Sequence, residues 1–367
     1  MIYLDNGATT LRKPPQVARA VLHAMEHYAS PGRGGYPAAM AAADAVYRCR
    51  ELAGILFDAE PESVVFTMNA THGLNVALKS LIGPGDTVVV SGFEHNAVMR
   101  PLYAIGARVI VAGRKLFDEA DTLREFDNAI TLRTRAVVCT HVSNVFGYRL
   151  PIERIAALCA KRSVPLIVDA SQSAGVLPVS MRRLGAAFIA MPGHKGLYGP
   201  QGTGILLCAQ TPKTLLEGGT GSQSRLYSMP AELPDAGEAG THNVAGICGL
   251  AEGIRFVCSR GTEAILRHER LLLEKLEDLL EPMPHLQLFQ GEGQTGVLSL
   301  CVRGMDCETA AERLAERGAA VRAGLHCAPL AHESAGTLEC GTVRLSLSAF
   351  NTEEEMLRAA KMLRSLS

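Results

Sequence analysis

The chain lacks an excess of charge of either sign. Its 36 Lys and Arg stand against 37 Asp and Glu in 367 residues, for a formal net charge of −1. Without a long-range field it has no means of gathering nucleic acid or anionic lipid. The basic residues are also spread out rather than clustered, which argues against a groove that tracks a phosphate backbone. Paired metal ligands are missing. None of the ten cysteines falls in a C-x-x-C pair, and neither Cys301 with Cys307 nor Cys327 with Cys340 has metal-ligand spacing. No metal is expected. No run of eighteen apolar residues occurs, so no membrane span is expected. The opening Met1-Ile2-Tyr3-Leu4-Asp5 contains no basic n-region and no apolar h-region. A soluble cytoplasmic enzyme with reduced thiols is the expectation. Internal repeats and low-complexity tracts are absent.

What is present is a globular composition, 47% hydrophobic and 20% charged, at a length that suggests two domains. Short apolar, β-branched runs predict strands over 64–67, 87–91, 108–112, 136–141, 166–168, 188–190 and 204–208. Helical patterns fill several gaps, as at 72–81, 122–132 and 152–161. This alternation predicts an α/β domain with a mostly parallel seven-stranded sheet. Residues 218–240, rich in Gly, Ser and Pro, read as an exposed loop. Beyond them the texture changes. A long amphipathic helix over 264–280 is ended by Pro282 and Pro284. Then come a strand (297–302), a helix (308–317), strands near 320–322 and 343–347, and a helix at 353–366. The expected division is a large domain at 14–250 and a smaller α/β domain at 251–367 joined by 1–13.

Gly193-His194-Lys195-Gly196 follows the strand at 188–190. Between glycines the backbone can approach a bound group closely, and a partly desolvated amine there can form a Schiff base with an aldehyde. The plain alternative is a surface lysine in a Gly-rich turn. Asp169, in Val168-Asp169-Ala170-Ser171-Gln172, ends a buried strand, at the sheet edge where α/β proteins bind ligands. It suits a carboxylate that keeps a pyridinium protonated, with Gln172 a donor to a phenolic oxygen, or else a helix N-cap. His95, in Phe93-Glu94-His95-Asn96, could stack on a flat ring or be a satisfied strand-end histidine. Ala70 and Thr71, in Asn69-Ala70-Thr71-His72-Gly73, open a helix that either binds phosphate or is simply capped. Arg322-Ala323-Gly324-Leu325-His326-Cys327-Ala328-Pro329 sets a thiol among basic and turn residues, where a thiolate is favoured next to Arg or protonated His. The alternative is a small buried hydrophobe. Arg344 interrupts an apolar strand and wants a partner, either an internal carboxylate or a substrate carboxylate.

In this order along the chain, these motifs resemble the class V aminotransferase family of fold-type I pyridoxal-phosphate (PLP) enzymes, and within it the cysteine desulfurases. The resemblance runs from Tyr3-Leu4-Asp5-Asn6-Gly7-Ala8-Thr9-Thr10 to Phe350-Asn351-Thr352. It implies that Lys195 is the Schiff-base lysine, with His194 at the phosphate. Asp169 would meet the pyridine nitrogen, Gln172 the phenolic oxygen, and His95 would stack on the ring. Asn144, in His141-Val142-Ser143-Asn144, would lie near ring and substrate. Ala70 and Thr71 would form the phosphate turn, and Thr241, in Ala239-Gly240-Thr241-His242-Asn243, would reach a neighbouring subunit's phosphate. Arg344 would hold the substrate carboxylate and Cys327 would accept sulfur.

The Arg-x-Gly-x-His-Cys context is similar to the subgroup that includes selenocysteine lyase-like enzymes. The implied chemistry is conversion of L-cysteine to L-alanine with a persulfide on Cys327. A homodimer and a sulfur-acceptor protein are the implied partners, with no nucleic acid and no membrane. The chain departs from many relatives at Ala70, where they carry Thr, at His72 for Glu, and at Pro192 for Ser. Other readings are a selenocysteine lyase, a cysteine-sulfinate desulfinase or another β-eliminating lyase. An aminotransferase or epimerase and a non-catalytic sulfur-carrier scaffold are the more distant ones.

Overall fold

The computed structural model describes residues 1–32 and 34–366. The chain opens with a short strand, β1 (Ile2–Tyr3), and two helices, α1 (Pro15–His27) and α2 (Pro37–Phe57). An alternating stretch follows: β2 (Val64–Thr67), α3 (Ala70–Leu81), β3 (Thr87–Ser91), α4 (Asn96–Ile105), β4 (Arg108–Ala112), α5 (Glu119–Ala129) and β5 (Thr134–Thr140). It continues through α6 (Ile152–Lys161), β6 (Leu166–Asp169), α7 (Met181–Leu184), β7 (Phe188–Pro192) and β8 (Gly204–Cys208). Two long helices, α8 (Val244–Arg260) and α9 (Thr262–Leu280), lead to β9 (Leu286–Phe289), β10 (Val297–Val302) and α10 (Cys307–Glu316). Last come β11 (Ala319–Ala320), β12 (Arg322–Gly324), α11 (Pro329–Ala335), β13 (Thr342–Ser346) and α12 (Glu353–Arg364).

The seven expected strands form one sheet in the order β2-β8-β7-β6-β5-β3-β4. Only the pairs made by β8 are antiparallel; the other pairs are parallel. Strands β2, β6, β7 and β8 are buried along their whole length, as continuous apolar runs covered by helices on both faces must be. One face packs on a cluster that includes Phe57, Phe126 and Ile155. The other packs on Leu74, Leu78 and Leu102. In register, Thr140 pairs with Asp169 and Asp169 with Ala190. The ends of β5, β6 and β7 therefore lie level, and the residues that follow them share one carboxyl edge.

The C-terminal part builds a four-stranded antiparallel sheet, β12-β13-β10-β9, over a separate apolar cluster with Leu276, Leu298 and Met356. The N-terminal segment joins this cluster through Ile2 and Leu4, and β1 pairs with β11. The strand expected at 320–322 is thus divided between two sheets.

Both bounds of α5 differ from the sequence reading for local reasons. Helix α5 begins at Glu119, because the Asp118 carboxylate accepts the Asp121 N–H at 2.8 Å and caps it earlier. It also ends sooner, and Leu132 is fully exposed. Residues 218–240 form a loop with one 3-10 turn at Asp235–Gly237, and Tyr227 is exposed, yet the end of this loop is anchored. Glu238 is buried and makes a two-pronged ion pair with Arg50 of α2. No helix among the described residues is long and apolar enough to cross a membrane.

Candidate active site

At the carboxyl edge of the large sheet lies a recess of about 100 Å³, lined by Ala70, Thr71, His95, Asn144, Asp169, Gln172, His194 and Lys195 among others. Each comes from the end of a strand, the turn after it or the start of the next helix, so the parallel strands deliver them to one place. Eight of the expected residues meet here.

Lys195 is half-buried, and its amine makes no hydrogen bond or ion pair among the described residues. Burial pulls its ammonium down to about 8, more than Asp169 can offset, and Arg344 pulls the same way. Asp169 is buried at the end of β6, where one carboxylate oxygen accepts the Ser171 N–H at 2.9 Å. It thus also serves the local turn, but no helix starts there, so the N-cap reading does not hold. His95 caps α4: its Nδ1 accepts the Ala97 N–H at 2.9 Å, which assigns the ring proton to Nε2. Burial pushes the ring down to about 4, against the pull of Asp169, so the imidazole is neutral near pH 7.

The residues expected to form a phosphate turn sit at the start of α3. Asn69 caps this helix by accepting the His72 N–H at 2.9 Å. Ala70 and Thr71 are its first two residues, where amide groups lack intrahelical acceptors. His194 Nδ1 is buried without a partner. His72 faces away from the recess and lines a different cleft. Gln172 donates from Nε2 to the Gly7 carbonyl at 3.1 Å, so the N-terminal segment already takes one of its two protons.

Cys327 and Arg344 do not line the recess; Asn144, which does, ties the segments that carry them to it. The Asn144 amide donates to the His326 carbonyl at 2.8 Å, and its backbone oxygen accepts from Arg344 Nη1 at 3.0 Å. The Cys327 carbonyl accepts the Asn96 N–H at 2.7 Å, next to His95. Both His326 and Cys327 adopt left-handed backbone, with φ of 48° and 57°. That conformation costs roughly 1–2 kcal/mol per residue and is held here by these two crossing hydrogen bonds. Cys327 is exposed, unlike most of the chain's cysteines. His326 is not the cationic neighbour the sequence suggested. It is buried, its ring is pushed down to about 2, and its Nε2 lies 3.1 Å from both the carbonyl and the hydroxyl of Thr342.

Arg344 realises the internal-carboxylate reading. Its Nη2 pairs with Asp5 at 2.7 Å, while its Nε is buried without a partner. Asp5 was present in the N-terminal motif but carried no role in the sequence reading. Thr241 does not reach the recess. It lines a cleft of about 240 Å³ with Thr67, Met68 and His72. Glu94 was likewise overlooked. It is fully buried directly before His95, accepts from Ser91 Oγ, and takes the Thr140 N–H at 2.8 Å. Burial raises its carboxyl to about 8.

The strand order, with β8 reversed and a lysine in the turn after β7, defines the fold class as that of the fold-type I PLP enzymes. The chain matches the Aminotransferase class-V family over residues 2–358 and belongs to it. A probable cysteine desulfurase of Methanothermobacter thermautotrophicus is 32% identical, over 97% of this chain and 92% of that protein. A cysteine desulfurase of Escherichia coli is 31% identical, over 98% and 91%. Among solved structures, the apo cysteine desulfurase of Thermococcus onnurineus NA1 superposes with a TM-score of 0.92 at 28% identity, over 100% of this chain and 94% of that one. The Escherichia coli cysteine desulfurase CsdA, in an S-sulfonic acid form, gives 0.86 at 25% identity, over 98% and 93%.

Proposed function

We propose that this chain is a PLP-dependent cysteine desulfurase that takes L-cysteine to L-alanine and moves the sulfur to Cys327 as a persulfide. The observation that carries the reading is an unpaired Lys195 amine and the Asp169 carboxylate lining one recess, with the exposed Cys327 tied through its backbone carbonyl to Asn96, the residue after His95. The names of the relatives agree with it and favour cysteine over the other substrates considered above.

The residues present fit PLP. The amine at 195 suits an aldehyde, the carboxylate at 169 a ring nitrogen, and the unpartnered His194 nitrogen with the start of α3 a phosphate. Loss of a hydroxyl at Ala70 leaves backbone amides and His194 with more of that last task. When bound, the cofactor supplies an electron sink for the substrate α-carbon. Lys195, with lowered proton affinity, is the base that takes the α-proton and returns it. Arg344, steadied by Asp5, holds the substrate carboxylate, with Asn144 alongside. His95 carries its proton on Nε2 and serves the substrate sulfur. The Cys327 thiolate attacks that sulfur: an S–S bond forms, the substrate C–S bond breaks, and protonation of the carbon gives alanine.

Thr241 acts across a homodimer, which fits its place in a cleft away from its own Lys195. The division into 14–250 and 251–367 with 1–13 is supported by a second apolar cluster built from Ile2, Leu4 and residues of 272–366. A sulfur-acceptor protein would meet the exposed Cys327.

The test pairs two variants. Lys195→Ala should lose cofactor absorbance and alanine formation together. Cys327→Ala should keep the absorbance, lose persulfide and slow alanine formation from cysteine by at least about 100-fold, in line with loss of a positioned nucleophile. Full-rate alanine and sulfide from the Cys327 variant would refute the persulfide step. Turnover of selenocysteine but not cysteine by the unaltered protein would make it a selenocysteine lyase instead.

A further inference from the structure

We infer that Cys301 and Cys340 form a dithiol that a peroxide closes to a disulfide, and that closure stiffens the segment carrying Cys327. Cys301 lies on β10, and Cys340 stands two residues before β13. These strands are antiparallel neighbours, in register from Val297↔Ser346 to Leu300↔Val343. One further step along the ladder brings Cys301 beside Gly341 and Thr342. Cys301 Sγ lies 3.5 Å from the carbonyl oxygen of Gly341, the residue after Cys340, while Cys340 Sγ lies 3.8 Å from the Thr337 carbonyl in its own turn. Burial first, and then the neighbouring Cys340, push the Cys301 thiol up to about 12.

Cys340 is exposed and Cys301 half-buried, so the outer sulfur meets the oxidant and the inner one resolves it. Cys340 gives up its proton, and its thiolate attacks an oxygen of hydrogen peroxide; the O–O bond breaks, Cys340 becomes a sulfenic acid, and the leaving hydroxide takes up that proton as one water. Cys301 sulfur then displaces the sulfenic hydroxyl as a second water, and the S–S bond forms. Two thiols are oxidised and one peroxide is reduced. The third thiol nearby, Cys307, is buried and hydrogen-bonds the Glu308 carboxylate at 3.0 Å. No three His, Cys, Asp or Glu among the described residues are arranged for a metal, which leaves the pair to thiol chemistry.

The path from this pair to Cys327 is short. A Cβ on Gly341 would stand 3.1 Å from Gly324 Cα, so the turn after Cys340 rests on the strand that leads to Cys327. The next residue, Thr342, seats the His326 ring through its carbonyl and hydroxyl. A bond between positions 301 and 340 staples this seat to β10. The dithiol closes whether or not Cys327 carries sulfur; a consequence for activity rests on the role proposed for that thiol.

The experiment uses full-length Cys327→Ser, with Cys327→Ala as a second background, so that peroxide cannot act at 327. After hydrogen peroxide, peptide mass mapping should find a linked Cys301–Cys340 peptide, reversed by dithiothreitol and absent from the added Cys340→Ser variant. Hydrogen exchange at Leu325–Ala328 should slow by at least about threefold on closure, as a stapled segment opens less often. Oxygen adducts on Cys340 without a linked peptide, a Cys301–Cys307 link, or linkage with unchanged exchange would each overturn the inference.

Discussion

A single carboxyl behind the recess shows how much of the site is set by burial. Glu94 has no solvent exposure, joins the end of β3 to the end of β5, and leaves one oxygen unpartnered. Its pKa rises from 4.5 to about 8, so the folded state holds a proton that the unfolded state gives up in that window. A raised pKa contributes stability below the unfolded value that is lost as pH climbs through the folded one. Glu94→Gln, which keeps a neutral hydrogen-bonding group, should therefore gain stability relative to the parent as pH goes from about 5 to 8; urea midpoints at both pH values check this. An unchanged difference would mean that the carboxyl is ionised in the fold. Lys195, Asp169 and His95 were legible because each directly follows an apolar strand and belongs to an ordered set of motifs. Glu94 was not, because nothing local marks a carboxyl whose partners, Thr140 above all, are distant in sequence. His326 was misread for the same reason. Its burial against Thr342 is a tertiary fact.

At the scale of elements, the seven strands of the large sheet were visible because buried parallel strands are continuous apolar runs. Helix α8 was hidden by its glycines, poor helix formers that the packing demands. A Cβ on Gly253 would lie 2.1 Å from the Leu197 carbonyl oxygen, so a larger residue cannot sit beside the turn that follows Lys195. Helix α2 was hidden by its many alanines, which blur the contrast between faces. The loop at 218–240 was read as free, and its anchor is an interaction between elements. Glu238 joins Arg50 of α2, the Phe66 N–H of β2 and His242 in one buried network. Glu238→Ala strands the Arg50 guanidinium without its carboxylate. It should cost about 3–5 kcal/mol, measured by urea denaturation. A loss below about 1 kcal/mol would show the network to be dispensable.

For the whole molecule, the α/β architecture followed from the alternation of strands and helices and the family from motif order, whereas of the assembly only the Thr241 segment gave a sign. Leu22 and Met25 on α1 and Met40 and Tyr47 on α2 are exposed large apolar side chains, the kind of surface that a second copy would cover. Light scattering should give twice the 39.1 kDa chain mass, and Thr241→Ala should weaken cofactor retention. A fully active monomer would contradict the dimer. The account as a whole turns on the amine in the turn after β7. Borohydride reduction of the PLP-loaded protein, followed by peptide mass mapping, should place the pyridoxyl phosphate group on Lys195. Its appearance on another lysine, or on none, would contradict the account.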